Sequence, residues 1–381
     1  MKYIMNQKNK IGRRKFLRQI GGTGCLLLSS GLAPSLMSFP AEKNTHQFEA
    51  RWYEKQAYKK VLCKLCPREC KIDDRERGYC GVRENWDGIY YTLVYAKPCT
   101  YHVDPIEKKP LFHFLPGTVA FSLATVGCNV DCKFCQNWQI SQIRPEQVEN
   151  FDLSPEQIAG MAAQAGAPSI AYTYSEPVIF SEYMYDTAVA GNKKHLKSVM
   201  ISNGYIQEKP MRELAMVLSA VKIDLKAFTE KYYQDIVDGE LKPVLDTLVL
   251  LKKLEIWTEI VYLVVPTFND SENEITQLSR WMKNNLGTEV PIHFTRFYPQ
   301  YKMQNLPPTP TKTLENARQI ALSEGIKFVY IGNVAGHAGE NTYCPECHKV
   351  LIERQGFYIN SNNIKNGKCP FCGMVIPGIW T

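Results

Sequence analysis

The chain has 381 residues, 45% of them hydrophobic and 22% charged, and its 45 Lys+Arg against 38 Asp+Glu give a formal net charge of +7. That length supplies a full core for one large domain or two medium ones, and the composition is that of a globular chain rather than a disordered one. Much of the basic excess lies in the first eighteen residues, and no tract interleaves basic with aromatic side chains, so nucleic acid is not an expected partner. Thirteen cysteines in so long a chain argue against a small disulfide scaffold. Eleven of them fall into three tight groups, at 63–80, 128–135 and 344–372, and tight groups read as metal or iron–sulfur ligation. Cys25 and Cys99 stand alone and read as small apolar bystanders.

The first segment, residues 1–41, carries "GRRKFLRQ" followed by an uncharged run rich in Gly, Leu, Ser and Pro. Arg13 and Arg14 with Phe16 and Leu17 resemble a twin-arginine signal, which implies export or an uncleaved anchor facing the periplasm. The run is long enough for a bilayer, but its glycines and prolines weaken a spanning helix, and a cytoplasmic location with a basic tail is the alternative. Residues 42–118 form an extension with its own cysteine group. "CKLCPREC" and "GYCGVRE" place Cys63, Cys66, Cys70 and Cys80 at C-x2-C-x3-C-x9-C. Four thiolates close a shell, and zinc and an auxiliary iron–sulfur cluster both remain open. Further on, "PIEKKPLFHF" sets Glu107, Lys108, Lys109 and His113 among apolar residues, where packing over the next domain competes with substrate contact.

From residue 119 to 335 the pattern alternates. "VAFSLATV" reads as a buried strand. "LSPEQIAGMAAQAGA" reads as a helix, with Ser154 as N-cap, Pro155 in the first turn and Gln157 completing a capping box. "PSIAYTY", "KSVMIS", "VKIDL", "WTEIVYLVV", "VPIHFTRF" and "KFVYIG" read as further strands, separated by helical stretches. Six strand–helix units and a seventh strand imply parallel strands with right-handed crossovers, either as an open doubly wound sheet or as a barrel-like curved one. No G-x-G-x-x-G follows the first strand. Both architectures bind ligands at the carboxyl ends of the strands. There stand "YSEP", "SNG", "DLK" and "PTFND", together with the loop "GCNVDCKFCQNW". His293 and Arg296, on the sixth strand, are weaker candidates for lining the same cavity.

The last segment, residues 336–381, holds "CPEC" and "CPFC". Cys344, Cys347, Cys369 and Cys372 form two C-x2-C knuckles that can fill all four positions of one zinc ion, a structural site. The middle group differs. Cys128, Cys132 and Cys135 are spaced C-x3-C-x2-C and offer only three ligands to a four-cornered cluster, which leaves one iron free for an outside ligand.

"CNVDCKFC" resembles the radical S-adenosylmethionine (SAM) signature. With "CKLCPREC", "GYCGVREN", "PIEKKPLFHFLPG", "TYSEP", "DLKAF", "VVPTFND" and "ENTYCPEC", it resembles the AmmeMemoRadiSam-system radical enzymes, relatives of pyruvate formate-lyase activating enzymes. The resemblance implies an α/β fold, a partial (β/α)6 TIM-like barrel flanked by the cysteine-rich extension and a zinc-ribbon-like module. It implies a [4Fe–4S] cluster on Cys128, Cys132 and Cys135, reductive cleavage of SAM, and hydrogen abstraction by a 5′-deoxyadenosyl radical. Phe134 would sit near the adenine. Glu176, in "YSEP" where the activating enzymes carry G-G-E-P, would hold the ammonium of SAM, and Asn203, Asp224 and Lys226 would contact its ribose or carboxylate. No catalytic residue is assigned. Memo-like and AMMECR-like companions and a low-potential electron donor are the implied partners. The late L-P-Y-H string of the activating enzymes is replaced by "RFYPQYKM", which weighs against activation of a glycyl-radical protein. A non-catalytic zinc scaffold is the rival from another class.

Overall fold

Seven strands line up in chain order: β1 (Val119–Ala124), β2 (Ser169–Tyr172), β3 (Lys197–Ser202), β4 (Ala220–Asp224), β5 (Trp257–Val264), β6 (Ile292–Arg296) and β7 (Val329–Gly332). All six pairings are parallel. This computed structural model describes residues 48–381, so the twin-arginine expectation and Cys25 lie outside the described residues. A doubly wound sheet reverses its order at a switch point. This one never reverses, so that alternative is excluded. Because every right-handed crossover steps the same way, the helices cover one face. The longer ones are α1 (Pro155–Gln164), α2 (Ser181–Asn192), α3 (Glu208–Ala215), α4 (Leu241–Lys253), α5 (Glu272–Asn285) and α6 (Thr311–Ser323). The α1 start is the expected capping box: Gln157 N donates to Ser154 Oγ, and Ser154 N donates to Gln157 Oε1 at 2.8 Å.

The helix-free face is small and apolar near the amino ends of the strands. Ala120, Ala171, Val199 and Ala220 leave room there for Ile106, Leu111, Phe114 and Leu115 of the extension. "PIEKKPLFHF" is therefore packing material. Glu259 of β5 anchors it, accepting from the backbone N–H groups of Phe112 and His113 at 2.9 and 2.8 Å and from His293 Nε2 at 2.8 Å. All three side chains, Lys109, His113 and Glu259, are buried.

An eighth strand, Thr100–Pro105, pairs antiparallel with β1 over six residues. It comes from the segment read as extension. Its pattern hides it: Val103 is 48% exposed while Asp104 is buried, the reverse of the usual alternation, and it ends in proline.

The carboxyl-terminal strands Thr342–Tyr343, Val350–Gln355 and Tyr358–Asn362 form a small antiparallel sheet. It packs on Phe112, Phe328 and Tyr330, at the amino end of β7. Residues 48–92 of the extension add two more three-stranded sheets, at the other end of the strands. There Arg83, buried, makes a salt bridge with Glu182 at the start of α2. Residues 48–381 lie in one compact unit. No helix among the described residues is long and apolar enough to cross a membrane.

Candidate active site at the carboxyl ends of the strands

The loop after β1 is pinned from several sides, which fixes where its three cysteines stand. Asn137 Nδ2 donates to Tyr174 O, beyond β2, at 2.8 Å. Asn129 Nδ2 donates to Tyr205 O, beyond β3, at 2.7 Å. Asp131 N and Lys133 N donate to Val237 O and Ile236 O, in a π-helical turn beyond β4, at 3.0 and 2.9 Å. From the extension, Arg68 Nε donates to Asn129 O. Gly127, φ 99°, lets the chain turn into Cys128. A Cβ there would lie 2.7 Å from Val82 Cγ1 and 2.9 Å from Cys80 O, so only glycine permits the approach.

Burial raises all three thiols, Cys128 well above the ordinary range and Cys132 to about 12 even though Lys226 pulls it down. Such thiols deprotonate when a cationic centre binds them, so the set suits a metal cluster and is a poor nucleophile by itself.

Glu176 follows β2 and is 3% exposed. Its Oε1 accepts from Ser202 Oγ at 2.6 Å and Val178 N at 3.0 Å, and its Oε2 accepts from Asn203 N at 2.8 Å. Burial pushes this carboxyl up to about 7, against the hydrogen bonds that favour the charged form. Asn203 donates through Nδ2 to Asn129 Oδ1 at 2.8 Å and accepts at Oδ1 from Tyr205 N. Its side chain thus ties the cysteine loop to the end of β3 and is engaged within the protein.

Asp224, at the end of β4, pairs with Lys222 and, at 3.2 Å, with Lys226. Burial opposes the charged carboxylate, but the two ammonium groups outweigh it and hold its pKa below the ordinary value. Lys226 Nζ lies 5.9 Å from the centre of the Phe134 ring. Phe134, Glu176, Asn203, Asp224 and Lys226 are thus brought to the carboxyl ends of β1–β4 beside the cysteines. His293 is not among them, since it is bonded to Glu259 beneath. Arg296 ends β6, its Nε buried without a partner among the described residues.

Tyr232 escaped the sequence reading. Its hydroxyl is buried without a partner among the described residues, and its ring stands 6.2 Å from Phe134. The only available signal was an aromatic pair shortly after "DLK", which is no more than core composition.

The carboxyl-terminal cysteines make a different kind of centre. Cys344, Cys347, Cys369 and Cys372 gather with their sulfurs all within 4.8 Å of one another. Sγ of Cys344 and Cys372 are 3.6 Å apart, and those of Cys347 and Cys369 3.7 Å. Bonds of about 2.3 Å to one tetrahedral ion separate sulfurs by about 3.8 Å. The two knuckles repeat one turn, with Cys344 N donating to Lys349 O and Cys369 N to Met374 O.

The Radical SAM superfamily profile matches residues 122–278. Uncharacterized protein MJ0808 of Methanocaldococcus jannaschii is 46% identical over 327 residues, which is 85% of this chain and 97% of that protein. Pyruvate formate-lyase 1-activating enzyme of Escherichia coli is 23% identical over 224 residues, 54% of this chain and 89% of that enzyme. A solved radical SAM methyltransferase from Sphaerobacter thermophilus superposes with a TM-score of 0.46 at 15% identity, over 60% of this chain and 71% of that one. The chain belongs to the radical SAM superfamily and is a radical SAM enzyme. Membership implies a [4Fe–4S] cluster and SAM, and it removes the non-catalytic scaffold from consideration.

Proposed function

We propose that the protein holds a [4Fe–4S] cluster on Cys128, Cys132 and Cys135 and uses SAM to abstract hydrogen from a substrate, itself a companion protein or supplied by one. The observation that carries this reading is the convergence of Glu176, Asn203, Asp224, Lys226 and Phe134 on the three-cysteine loop, through the hydrogen bonds given above. Held by Cys128, Cys132 and Cys135, the cluster would supply the single electron for reductive cleavage of SAM to methionine and a hydrogen-abstracting 5′-deoxyadenosyl radical. Glu176 supplies a carboxylate for the ammonium of SAM. Lys226 supplies a cation for its carboxylate, held in place by Asp224. Phe134 offers a flat apolar wall for the adenine. Asn203 is a positioning residue, since its side chain holds the loop.

The sheet is read as a partial (β/α)6 barrel and the carboxyl-terminal tetrad as a structural zinc site, supported by the sulfur spacing. The strings from "CKLCPREC" to "ENTYCPEC" support an AmmeMemoRadiSam-type system with Memo-like and AMMECR-like companions and a low-potential electron donor, and Arg13 and Arg14 with Phe16 and Leu17 support export by the twin-arginine route. Activation of a glycyl-radical protein is the second reading, favoured by the similarity to the Escherichia coli activating enzyme.

The test is anaerobic reconstitution with iron and sulfide, reduction and addition of SAM. Release of 5′-deoxyadenosine is expected. A protein that binds no iron through this loop and releases none would overturn the reading. Mass spectrometry of candidate companions after turnover separates the substrates.

A further inference from the structure

We infer that Cys63, Cys66, Cys70 and Cys80 hold a second iron–sulfur cluster, not a zinc ion, directly beside the loop that carries Cys128. Three observations converge on this site.

The first is sulfur spacing. Among the described residues the only group of metal-ligating side chains with atoms all within 4.8 Å is the carboxyl-terminal tetrad. Four sulfurs around one ion must be that close. Four sulfurs on separate irons of a cluster stand further apart. Neither the Cys128, Cys132, Cys135 set, whose superfamily implies a cluster, nor the extension's tetrad brings three such atoms within that distance of one another.

The second is the way the extension folds around the four thiols. Cys63 N donates to Cys70 O at 3.0 Å, and Glu69 N to Cys66 O at 3.2 Å, in a turn where Glu69 takes a positive φ of 41°. Gly78 brings the fourth cysteine in. A Cβ there would stand 2.6 Å from the Tyr90 hydroxyl and 3.9 Å from Cys70 Sγ, so the glycine keeps open a space that Cys70 faces. The four cysteines are free, and Cys63 and Cys66 are buried.

The third is position. The Cβ site of Gly127 lies 2.9 Å from Cys80 O, so the backbones at the two ligand sets touch. Cys80 and Cys128 also line one cleft of about 710 Å³. A zinc staple needs no such neighbour, whereas a one-electron carrier does. The carrier role rests on the function proposed above; occupancy of the tetrad by iron does not. In that role one electron from a reduced ferredoxin- or flavodoxin-type donor enters at the tetrad and leaves towards the neighbouring loop, with no bond made or broken.

The experiment uses the anaerobically purified, reconstituted full chain and its triple variant C128A/C132A/C135A. Iron, sulfide and zinc are measured per chain, with electron paramagnetic resonance after dithionite reduction. The triple variant is expected to keep about two to four irons and a reduced-cluster signal that SAM leaves unchanged. A triple variant without iron overturns the inference, whatever its zinc. Should the triple variant not fold, C66S/C80S decides. It is expected to lose a SAM-insensitive signal and keep a SAM-responsive one, and a spectrum identical to that of the unaltered chain overturns the proposal. If the altered triad leaves iron content unchanged, the proposed function fails and the tetrad cluster stands.

Discussion

The His113 Nε2 and the Tyr330 hydroxyl are 2.6 Å apart, with the imidazole wholly buried. Pro377 O, 2.7 Å from His113 Nδ1, can only accept, so Nδ1 carries the proton and Nε2 takes the tyrosine's hydrogen. The pair clamps the extension, β7 and the carboxyl-terminal module together around a buried, neutral ring.

Stability should therefore fall with acid. Burial pushes the His113 imidazole down to about 4, and no group facing it reverses that: Glu259 raises it, while Arg354 and His293 lower it. The unfolded ring titrates near 6.5. Above that pH both states are neutral. Below it the unfolded state takes up a proton that the folded state refuses, so stability drops as pH falls from about 6.5 to about 4, by about 3 kcal/mol in all. Denaturation midpoints across that range should show the slope, and His113→Leu should flatten it.

Arg83 and Glu182 are 1% and 0% exposed. Arg83→Met strands a buried carboxylate, which costs about 3–5 kcal/mol. Adding Glu182→Leu should recover much of that loss. Chemical denaturation of the single and double variants gives the comparison, and equal midpoints for the two would contradict the argument.

Gly127→Ala places a methyl group against Val82 and Cys80 in a backbone region that alanine resists. The expected cost is about 3 kcal/mol, together with a displaced cysteine loop and less iron on reconstitution. Alanine at Gly160, which meets no neighbour within 4 Å, is the matched control and should leave iron content unchanged.

Cys132→Ala should abolish release of 5′-deoxyadenosine. Cys369→Ser should instead lower the thermal midpoint through the carboxyl-terminal tetrad and leave the release measurable at low temperature. Loss of release in the second case without any loss of fold would assign that tetrad to the reaction.

Much of this was legible because local chemistry and global fold agree. Ser154 with Gln157, and apolar runs ending at Gly127, Glu176 and Asp224, mark element ends in the chain itself. The parallel order follows from alternation, but its direction does not: nothing local says that each crossover steps the same way. The strand at Thr100–Pro105 was illegible because Asp104 points inward to Lys109 at 2.6 Å, a partner no periodicity reveals. Glu176, Asn203, Asp224 and Lys226 were found at strand ends. That Asn203 is spent on Asn129, and that Tyr232 has a buried, unpartnered hydroxyl beside Phe134, are facts of packing and need coordinates.

The strand at Thr100–Pro105 also decides how the protein can be cut. A recombinant fragment beginning at residue 119 would match the superfamily profile in full, yet it would strip β1 of a partner and bare a row of unpaired amides and carbonyls along the sheet's margin. Such a margin recruits other chains. Shortened versions meant for crystallisation or labelling should therefore start well before Thr100, or they will come out as aggregates whose inactivity says nothing about the chemistry.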